Sequence, residues 1–283
     1  MYCKLCNKNE ANQSGSHITS AFLLTSQIGS RGSERNYIIT GDSNQNYLIN
    51  RKDEIIKEDF IFCRDCEKRL SFLENYYCCE LSQKIEKSKF NSNFLITSKK
   101  NSQLIVCKKI SPIAFFLFIY SIIWRASISS AEIYKNFKLT SEIESDIQFF
   151  LDLFLPNIVN HKITIELSKW LKIAKGCEGY FKIYPFILLK VDNITDKTGT
   201  YQFFDNVSKN PYHIIINEYI ILPFFDKDVW VDDFFNLKNE IDFNEIVNND
   251  LNLCKIGIIS KEKYLEILNM LNQLIINERL FNR

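Results

Sequence analysis

Glycine and proline are scarce in this 283-residue sequence, which contains 8 Gly and 5 Pro. So few residues that break regular structure exclude a collagen-like fibre and a low-complexity, glycine- or proline-rich chain. Long apolar runs are lacking too, because the most apolar segment, residues 110–124, has fifteen residues, whereas a membrane-spanning helix needs about 20. This segment therefore predicts a buried core helix, and a short or re-entrant membrane segment is the less favoured alternative.

Nucleotide-binding loops and an export signal are also missing. The sequence contains neither G-x-x-x-x-G-K-[ST] nor G-x-G-x-x-G, so a nucleotide-dependent step is expected to belong to a partner subunit. Cys3 and Cys6 occupy the place where a secretory signal has its charged start and apolar stretch. An odd total of 9 Cys favours metal ligands and free thiols in a reducing compartment over disulfides. We expect a cytoplasmic protein without a membrane anchor.

What the sequence does contain is material for a large packed core. Hydrophobic residues make up 46% and aromatic residues 14%, and the length suits one large or two ordinary domains. The net charge of +1 is uneven, since residues 1–110 hold 17 basic and 12 acidic side chains and residues 111–283 hold 18 and 22. A basic front is compatible with a nucleic-acid partner, and two solvated surfaces of chance composition explain the charges equally well.

Two C-x-x-C pairs frame the first part of the chain. Cys3 and Cys6 form the first pair, and Cys63 and Cys66 form the second after 56 intervening residues. Two residues between thiolates allow both sulfurs to reach one ion, so two such pairs supply the four ligands of a closed tetrahedral Zn²⁺ site. The long separation predicts a loop or hairpin inserted over the site. The alternative is two unrelated pairs of free cysteines.

The pattern of apolar residues and turn residues predicts an α+β fold. Short strands are expected at residues 37–39 and 47–49, helices from Pro112 and over residues 140–154, and strands at residues 181–191, 213–223 and 229–231. A closing helix is expected over residues 260–280. We predict a zinc-binding module with a basic linker over residues 1–110. Residues 111–283 are predicted to form an α+β domain for packing and for partner or substrate selection.

Between the cysteine pairs lies the motif Ser16-His17-Ile18-Thr19-Ser20, and the second pair continues as Cys66-Glu67-Lys68-Arg69-Leu70. A C-x-x-C pair, a short strand carrying such a histidine motif, and a second C-x-x-C pair opening a helix resemble the HNH (ββα-metal) endonucleases. The resemblance is greatest to a bacterial group with a Ser-His-Ile-Ile-Pro-like motif. It extends to a Trp-Arg segment, here Trp124-Arg125, whose arginine is interpreted as a buried ion pair or, alternatively, as a phosphate contact.

The resemblance implies a fold and a set of catalytic residues. It implies an N-terminal zinc-stapled ββα-metal module in which His17 is the general base that activates water. A divalent ion, Mg²⁺ or Mn²⁺, is implied at Glu67 and Ser16, and helical spacing would place Glu74 two turns after Glu67 on the same face as a further ligand. Two positions depart from the family pattern, because Ser16 stands where an acidic ligand is usual and the proline expected near Thr19 is missing.

The function that follows from the resemblance is a metal-dependent endonuclease. Its substrate would be foreign (phage) nucleic acid, and a partner protein such as an NTPase or sensor subunit would belong to the same defence system. The alternative is an adaptor subunit that has lost catalysis and uses its zinc module to hold a partner protein or nucleic acid. In that alternative, Glu67 and Glu74 are residues of an ordinary solvated helix face and bind no ion.

Overall fold

The computed structural model describes most of the chain, with gaps. The described residues are 1–20, 23, 36–41, 47–52, 57–85, 92–99, 102–135, 137–159, 162–163, 165–176, 179, 181–191, 200–205, 212–225 and 243–266. The expected strand at residues 229–231 lies outside them, as does the closing helix beyond residue 266; residues 261–266 are helical.

Thirteen strands and six α-helices, besides the helical residues 261–266, make up the described structure. The strands are β1 (Ser16–His17), β2 (Asn36–Gly41), β3 (Tyr47–Lys52), β4 (Lys57–Glu58), β5 (Phe94–Lys99), β6 (Ser102–Cys107), β7 (Ile158–Val159), β8 (Lys162–Ile163), β9 (Phe186–Val191), β10 (Thr200–Asp205), β11 (His213–Ile216), β12 (Tyr219–Pro223) and β13 (Cys254–Ile259). The helices are α1 (Arg64–Tyr77), α2 (Gln83–Ile85), α3 (Pro112–Ile128), α4 (Ser141–Phe154), α5 (Leu167–Gly176) and α6 (Phe243–Ile246). A π-helical turn (Cys78–Ser82) joins α1 to α2, and a 3₁₀ turn (Glu132–Tyr134) follows α3. This confirms the α+β prediction.

One mixed sheet of nine strands organises most of the chain. Its order is β3-β2-β10-β11-β12-β9-β13-β6-β5, in which β2 runs parallel to β10 and β9 parallel to β13, while the other neighbours are antiparallel. Strands from both sides of residue 110 therefore hydrogen-bond in one sheet. The stretch predicted to be a basic linker contains β5 and β6, which form one end of that sheet.

The hairpin expected between the two cysteine pairs is present. Strands β2 and β3 pair antiparallel from Asn36 opposite Lys52 to Gly41 opposite Tyr47, as the sequence predicts. Strand β2 also pairs parallel with β10, so this hairpin is part of the nine-stranded sheet, and its position over the cysteines stays a prediction. The two-residue strands β1 and β4, which flank the hairpin in sequence, pair with each other.

Helix α3 is the centre of the core. Pro112 occupies its first turn and the Ser111 hydroxyl accepts a hydrogen bond from Ala114 N at 3.5 Å, so the helix begins where the sequence predicts. Nearly every side chain from Ile113 to Ser127 is buried. No helix within the described ranges combines the length and the apolar character that crossing a bilayer requires.

Aromatic contacts show what covers α3 on its two sides. On one side Trp124 stacks on Phe62 with ring centroids 5.8 Å apart, next to the second cysteine pair. On the other side Phe116 contacts Phe186 of β9 with centroids 4.9 Å apart. The opposite face of the sheet forms a second apolar cluster with α6 and the helical residues 261–266, which include Tyr264. Helix α3 is therefore enclosed between the cysteine module and the sheet.

Candidate metal centre and active site

The two C-x-x-C pairs meet in space. The Sγ atoms of Cys3, Cys6, Cys63 and Cys66 all lie within 4.8 Å of one another, and Cys6 Sγ is 4.0 Å from Cys63 Sγ. In a tetrahedral zinc site with Zn–S distances near 2.3 Å, neighbouring sulfurs are about 3.8 Å apart. Small side-chain movements therefore suffice for the four thiols to hold a metal ion such as zinc. This is the cluster that the sequence predicts.

Local backbone structure positions the four thiols. The first pair lies in a tight turn, in which Asn7 N donates to Cys3 O at 2.9 Å and Asn7 adopts a positive φ of 53°. Asparagine tolerates this left-handed conformation better than most residues. Cys63 precedes the first residue of α1 with extended backbone, and Cys66 lies in the first turn of that helix. The partial positive charge at this helix end favours thiolates there.

Two side chains from outside the cysteine pairs brace the cluster. Arg69 of α1 is buried, pairs with Asp152 at 2.6 Å and also donates to the carbonyl oxygens of Asp152, Leu155 and Pro156 at the end of α4. Its Nη1 also lies 4.0 Å from Cys66 Sγ. Gln148 of α4 donates from Nε2 to Leu5 O at 2.6 Å, inside the first knuckle. Helix α4 therefore contacts both pairs.

The protonation of the thiols fits a cation at their centre. A hydrogen bond from Cys66 lowers the pKa of Cys3 to about 5, whereas the same bond and burial raise the pKa of Cys66. Burial likewise raises the pKa of Cys63. Close packing thus keeps Cys3, Cys63 and Cys66 from ionising together, and a divalent cation is the partner that permits several thiolates in such a small volume.

His17 lies in a two-stranded ribbon next to this cluster. In the ribbon β1 pairs antiparallel with β4, so that Ser16 is opposite Glu58 and His17 is opposite Lys57. Helix α1 follows β4 directly in sequence. Burial lowers the pKa of half-buried His17, the charges of Lys57 and Arg125 lower it further, and Glu74 opposes them. The imidazole is therefore neutral near pH 7, which is the form that accepts a proton.

Arg125 holds the His17 segment against the core. Its guanidinium is buried and donates to His17 O at 2.9 Å, to Ser20 Oγ at 3.1 Å and to Ser121 O at 3.1 Å. It also forms an ion pair with Glu74 at 2.7 Å. The buried ion pair that the sequence predicts for Arg125 is therefore present. Glu74 Oε1 also accepts a hydrogen bond from Ser20 Oγ at 2.7 Å.

Two buried oxygen atoms near this network lack hydrogen bonds. Ser16 Oγ and Glu67 Oε2 are buried and have no hydrogen-bond partner within the part of the chain that the structure describes. Burial raises the pKa of Glu67, while the nearby Ser16 hydroxyl and the charge of Arg125 lower it. The Ser16 hydroxyl thus influences the Glu67 carboxyl without satisfying the geometry of a hydrogen bond. A buried carboxylate oxygen without a partner is costly unless a cation binds it.

The structure brings together all eight residues that the sequence predicts for the site. Four form the cysteine cluster (Cys3, Cys6, Cys63 and Cys66), and four lie on β1 and α1 beside it (Ser16, His17, Glu67 and Glu74). Oε1 of Glu74 forms the ion pair with Arg125 and accepts the hydrogen bond from Ser20, and the role of Glu74 as an ion ligand stays a prediction. Sequence reasoning missed Glu58, whose carboxylate accepts 2.6 Å hydrogen bonds from the Ser129 and Ser130 hydroxyls and so fixes β4 to the end of α3.

A comparison with protein-family models, curated proteins and solved structures finds no match for this chain. The resemblance to the HNH endonucleases therefore rests on the sequence motifs alone.

Proposed function

We propose that this protein is a metal-dependent endonuclease of the HNH type that cleaves phosphodiester bonds. The observation that carries the proposal is the pair of buried oxygens, Ser16 Oγ and Glu67 Oε2, which have no hydrogen-bond partner among the described residues and lie beside the half-buried His17. The ribbon of β1 and β4 followed by α1 has the strand–strand–helix order of a ββα-metal module. The cysteine cluster would hold a structural Zn²⁺ beneath it.

The donor set fits a hard divalent cation. Mg²⁺ and Mn²⁺ prefer oxygen ligands, and a hydroxyl with a carboxylate supplies two of them while water supplies others. Glu67 and Ser16 would hold such an ion, which when bound stabilises negative charge on the phosphate and on the leaving oxygen. The serine hydroxyl brings no charge, so Glu67 carries the electrostatic part of binding. We therefore expect weaker ion binding than two carboxylates would give.

His17 acts as the general base in this proposal. Water is a weak nucleophile near neutral pH, and a positioned base that accepts its proton contributes typically ~10²–10⁴-fold to the rate. The neutral imidazole is favoured by burial, which lowers the pKa of His17. Arg125 is a positioning residue, because its guanidinium binds His17 O and thereby fixes the strand that carries the imidazole. Glu74 neutralises the buried guanidinium and keeps it in place.

The biological setting is proposed from the resemblance. The substrate would be foreign (phage) nucleic acid in the bacterial cytoplasm, and an NTPase or sensor subunit would control cleavage. The alternative is an adaptor that uses the zinc module only as a scaffold. The observation in its favour is that Glu74, one of the two nearby carboxylates, is paired with Arg125, while Ser16 replaces the usual acidic ligand.

The test is cleavage of DNA and RNA by purified protein, with Mg²⁺ or Mn²⁺ and with its natural partner present. His17→Ala is expected to abolish cleavage and to leave zinc content and the circular-dichroism spectrum unchanged. Ser14→Ala, at an exposed position of the same segment, is the matched control and should cleave like the wild type. Full activity in His17→Ala would remove the nuclease assignment from this site, and a wild type that binds its partner but cuts nothing would favour the adaptor.

A further inference from the structure

Exposed aromatic side chains concentrate at the cysteine module. Among the described residues, three aromatic side chains are strongly exposed: Tyr2 at 69%, Phe60 at 55% and Phe149 at 57%. Tyr2 immediately precedes Cys3, and Phe60 lies three residues before Cys63. Neither contributes to the apolar core, although most aromatic rings of the described residues are buried. These two side chains therefore present apolar faces to whatever binds the cysteine module.

Phe60 occupies a backbone conformation that a large side chain rarely adopts. Its φ is 59°, and the other described residues with positive φ are asparagines and one glycine: Asn7, Asn217 and Gly15. For a bulky residue this left-handed region is strained, and such strain persists only where surrounding contacts impose it. Because the ring is exposed, packing in the core does not offset the strain. A glycine would adopt this positive φ with less strain, so the aromatic ring at this position is inferred to have a function of its own.

The surrounding backbone fixes Phe60 in place. Phe60 N donates to Gln13 O at 2.8 Å, and Gln13 N donates to Phe62 O at 3.0 Å. On the other side Lys4 N donates to Ile61 O at 2.9 Å. The residues around Phe60 are thus held between the first cysteine knuckle and the segment that leads to β1. A ring on so constrained a backbone is preorganised for contact, which lowers the entropic cost of binding.

Charge and position indicate which partner the rings meet. Four exposed cations lie in the same two segments (Lys4, Lys8, Lys57 and Arg64), against the exposed acids Glu10 and Asp59. Phe60 also lies three residues after Lys57 of β4, which is paired with His17. Three residues span at most about 11 Å, so the distance from Phe60 to the proposed catalytic strand is comparable with the size of a nucleotide. Aromatic rings interspersed with cations are typical of surfaces that bind single-stranded nucleic acid.

We propose that Phe60, together with Tyr2, is a stacking platform for unpaired bases of DNA or RNA next to the His17 site. This deepens the proposed nuclease function and rests on it, since it assigns to that site a substrate with single-stranded or unpaired nucleotides. Ring stacking requires a base face that is not already covered by its neighbours, so a continuous duplex cannot use the platform. Exposed lysines and Arg64 contact the phosphates and contribute affinity without sequence preference.

The experiment measures binding separately from cleavage. Full-length protein carrying His17→Ala is titrated, without added Mg²⁺, against fluorescently labelled 20-mers of oligo(dT) and oligo(U) and against a blunt 20-base-pair duplex. Phe60→Ala is expected to weaken binding of the single strands by about 5- to 150-fold and to leave duplex binding unchanged. Phe60→Trp should retain binding. The ratio of the dT and U affinities distinguishes a DNA strand from an RNA strand as the substrate.

Two controls distinguish base stacking from loss of structure and from nonspecific binding by exposed rings. Phe60→Gly removes the ring and relieves the backbone, so it should melt at or above the temperature of the parent protein while losing single-strand binding as Phe60→Ala does. Phe149→Ala removes an equally exposed ring from α4 and should leave binding unchanged. Equal single-strand binding by Phe60→Ala and its parent, in a protein whose wild type still cleaves, overturns the platform but not the nuclease, and assigns the rings to a protein partner. Equal losses in Phe60→Ala and Phe149→Ala also overturn it.

Discussion

Replacing Arg125 by methionine tests whether the buried ion pair supports the His17 segment. The Arg125 side chain is 3% exposed and Glu74 is 19% exposed, so water screens the 2.7 Å pair weakly. Removing one partner of such a pair leaves an uncompensated buried charge and typically costs about 3–5 kcal/mol. The carbonyl of His17 also loses its donor. At roughly 2–4 °C per kcal/mol for a chain of this size, the melting temperature should fall by about 6–20 °C.

The measurement is urea unfolding followed by tryptophan fluorescence, with Arg125→Met, Glu74→Gln and the double variant compared with the wild type. The double variant should be less destabilised than the sum of the singles by at least about 1 kcal/mol, because the second change removes the charge that the first left unpaired. Arg64→Met, at an exposed position of α1, is the control and should change stability by no more than about 0.5 kcal/mol. A loss below about 1 kcal/mol in Arg125→Met, or strictly additive effects, would refute the reasoning.

Three further predictions concern the metals and the effect of pH. Protein purified without chelator should contain one Zn²⁺ per chain, and Cys63→Ser should lose that zinc and destabilise the module, as elemental analysis and thermal melting would show. Glu67→Ala should reduce cleavage by weakening the divalent ion, so excess Mn²⁺ or Mg²⁺ should restore part of the activity of Glu67→Ala but none of that of His17→Ala. Burial lowers the pKa of His213 from 6.5 to about 3. As the pH falls, His213 of the unfolded chain therefore binds a proton at a higher pH than His213 of the folded chain. His213 should therefore remove stability as the pH falls below about 6.5, by up to roughly 1.4 kcal/mol per pH unit, and His213→Gln should flatten this slope in unfolding experiments between pH 7.5 and 5.5.

The sequence predicts best those parts of the structure that depend on residues close together in the chain. The cysteine cluster is one, because C-x-x-C spacing brings each pair of sulfurs together within one turn. Helix α4 is another, since Thr140 caps it through Ile143 N and its pattern of apolar residues continues to Phe154, two residues before Pro156. The pairing of β2 with β3 also follows from turn residues between two short apolar runs.

Partners distant in sequence could not be predicted in the same way. Nothing local in β2 indicates that Asn36 pairs with Thr200 in a parallel register, because that choice depends on how the whole sheet assembles. Strands β5 and β6 lie at the end of the sheet in a stretch whose lysines, at positions 84, 87, 89, 99, 100, 108 and 109, give it the composition of a solvated linker. The clamp of Arg69 on the end of α4 and the ion pair of Arg125 with Glu74 likewise join elements far apart in the chain.

The enclosure of α3 has a consequence for synthesis on the ribosome. The apolar helix ends at Ile128, while β9, whose Phe186 ring packs on Phe116, begins at Phe186, so about 60 further residues must be made before that contact exists. At about 5–20 residues per second, the nascent chain carries an uncovered apolar helix for roughly 3–12 s. The earlier cysteine module, with Phe62 and Tyr77, can shield one side of the helix during this interval. Early folding of the cysteine module should therefore limit how much of α3 is exposed while the rest of the chain is made.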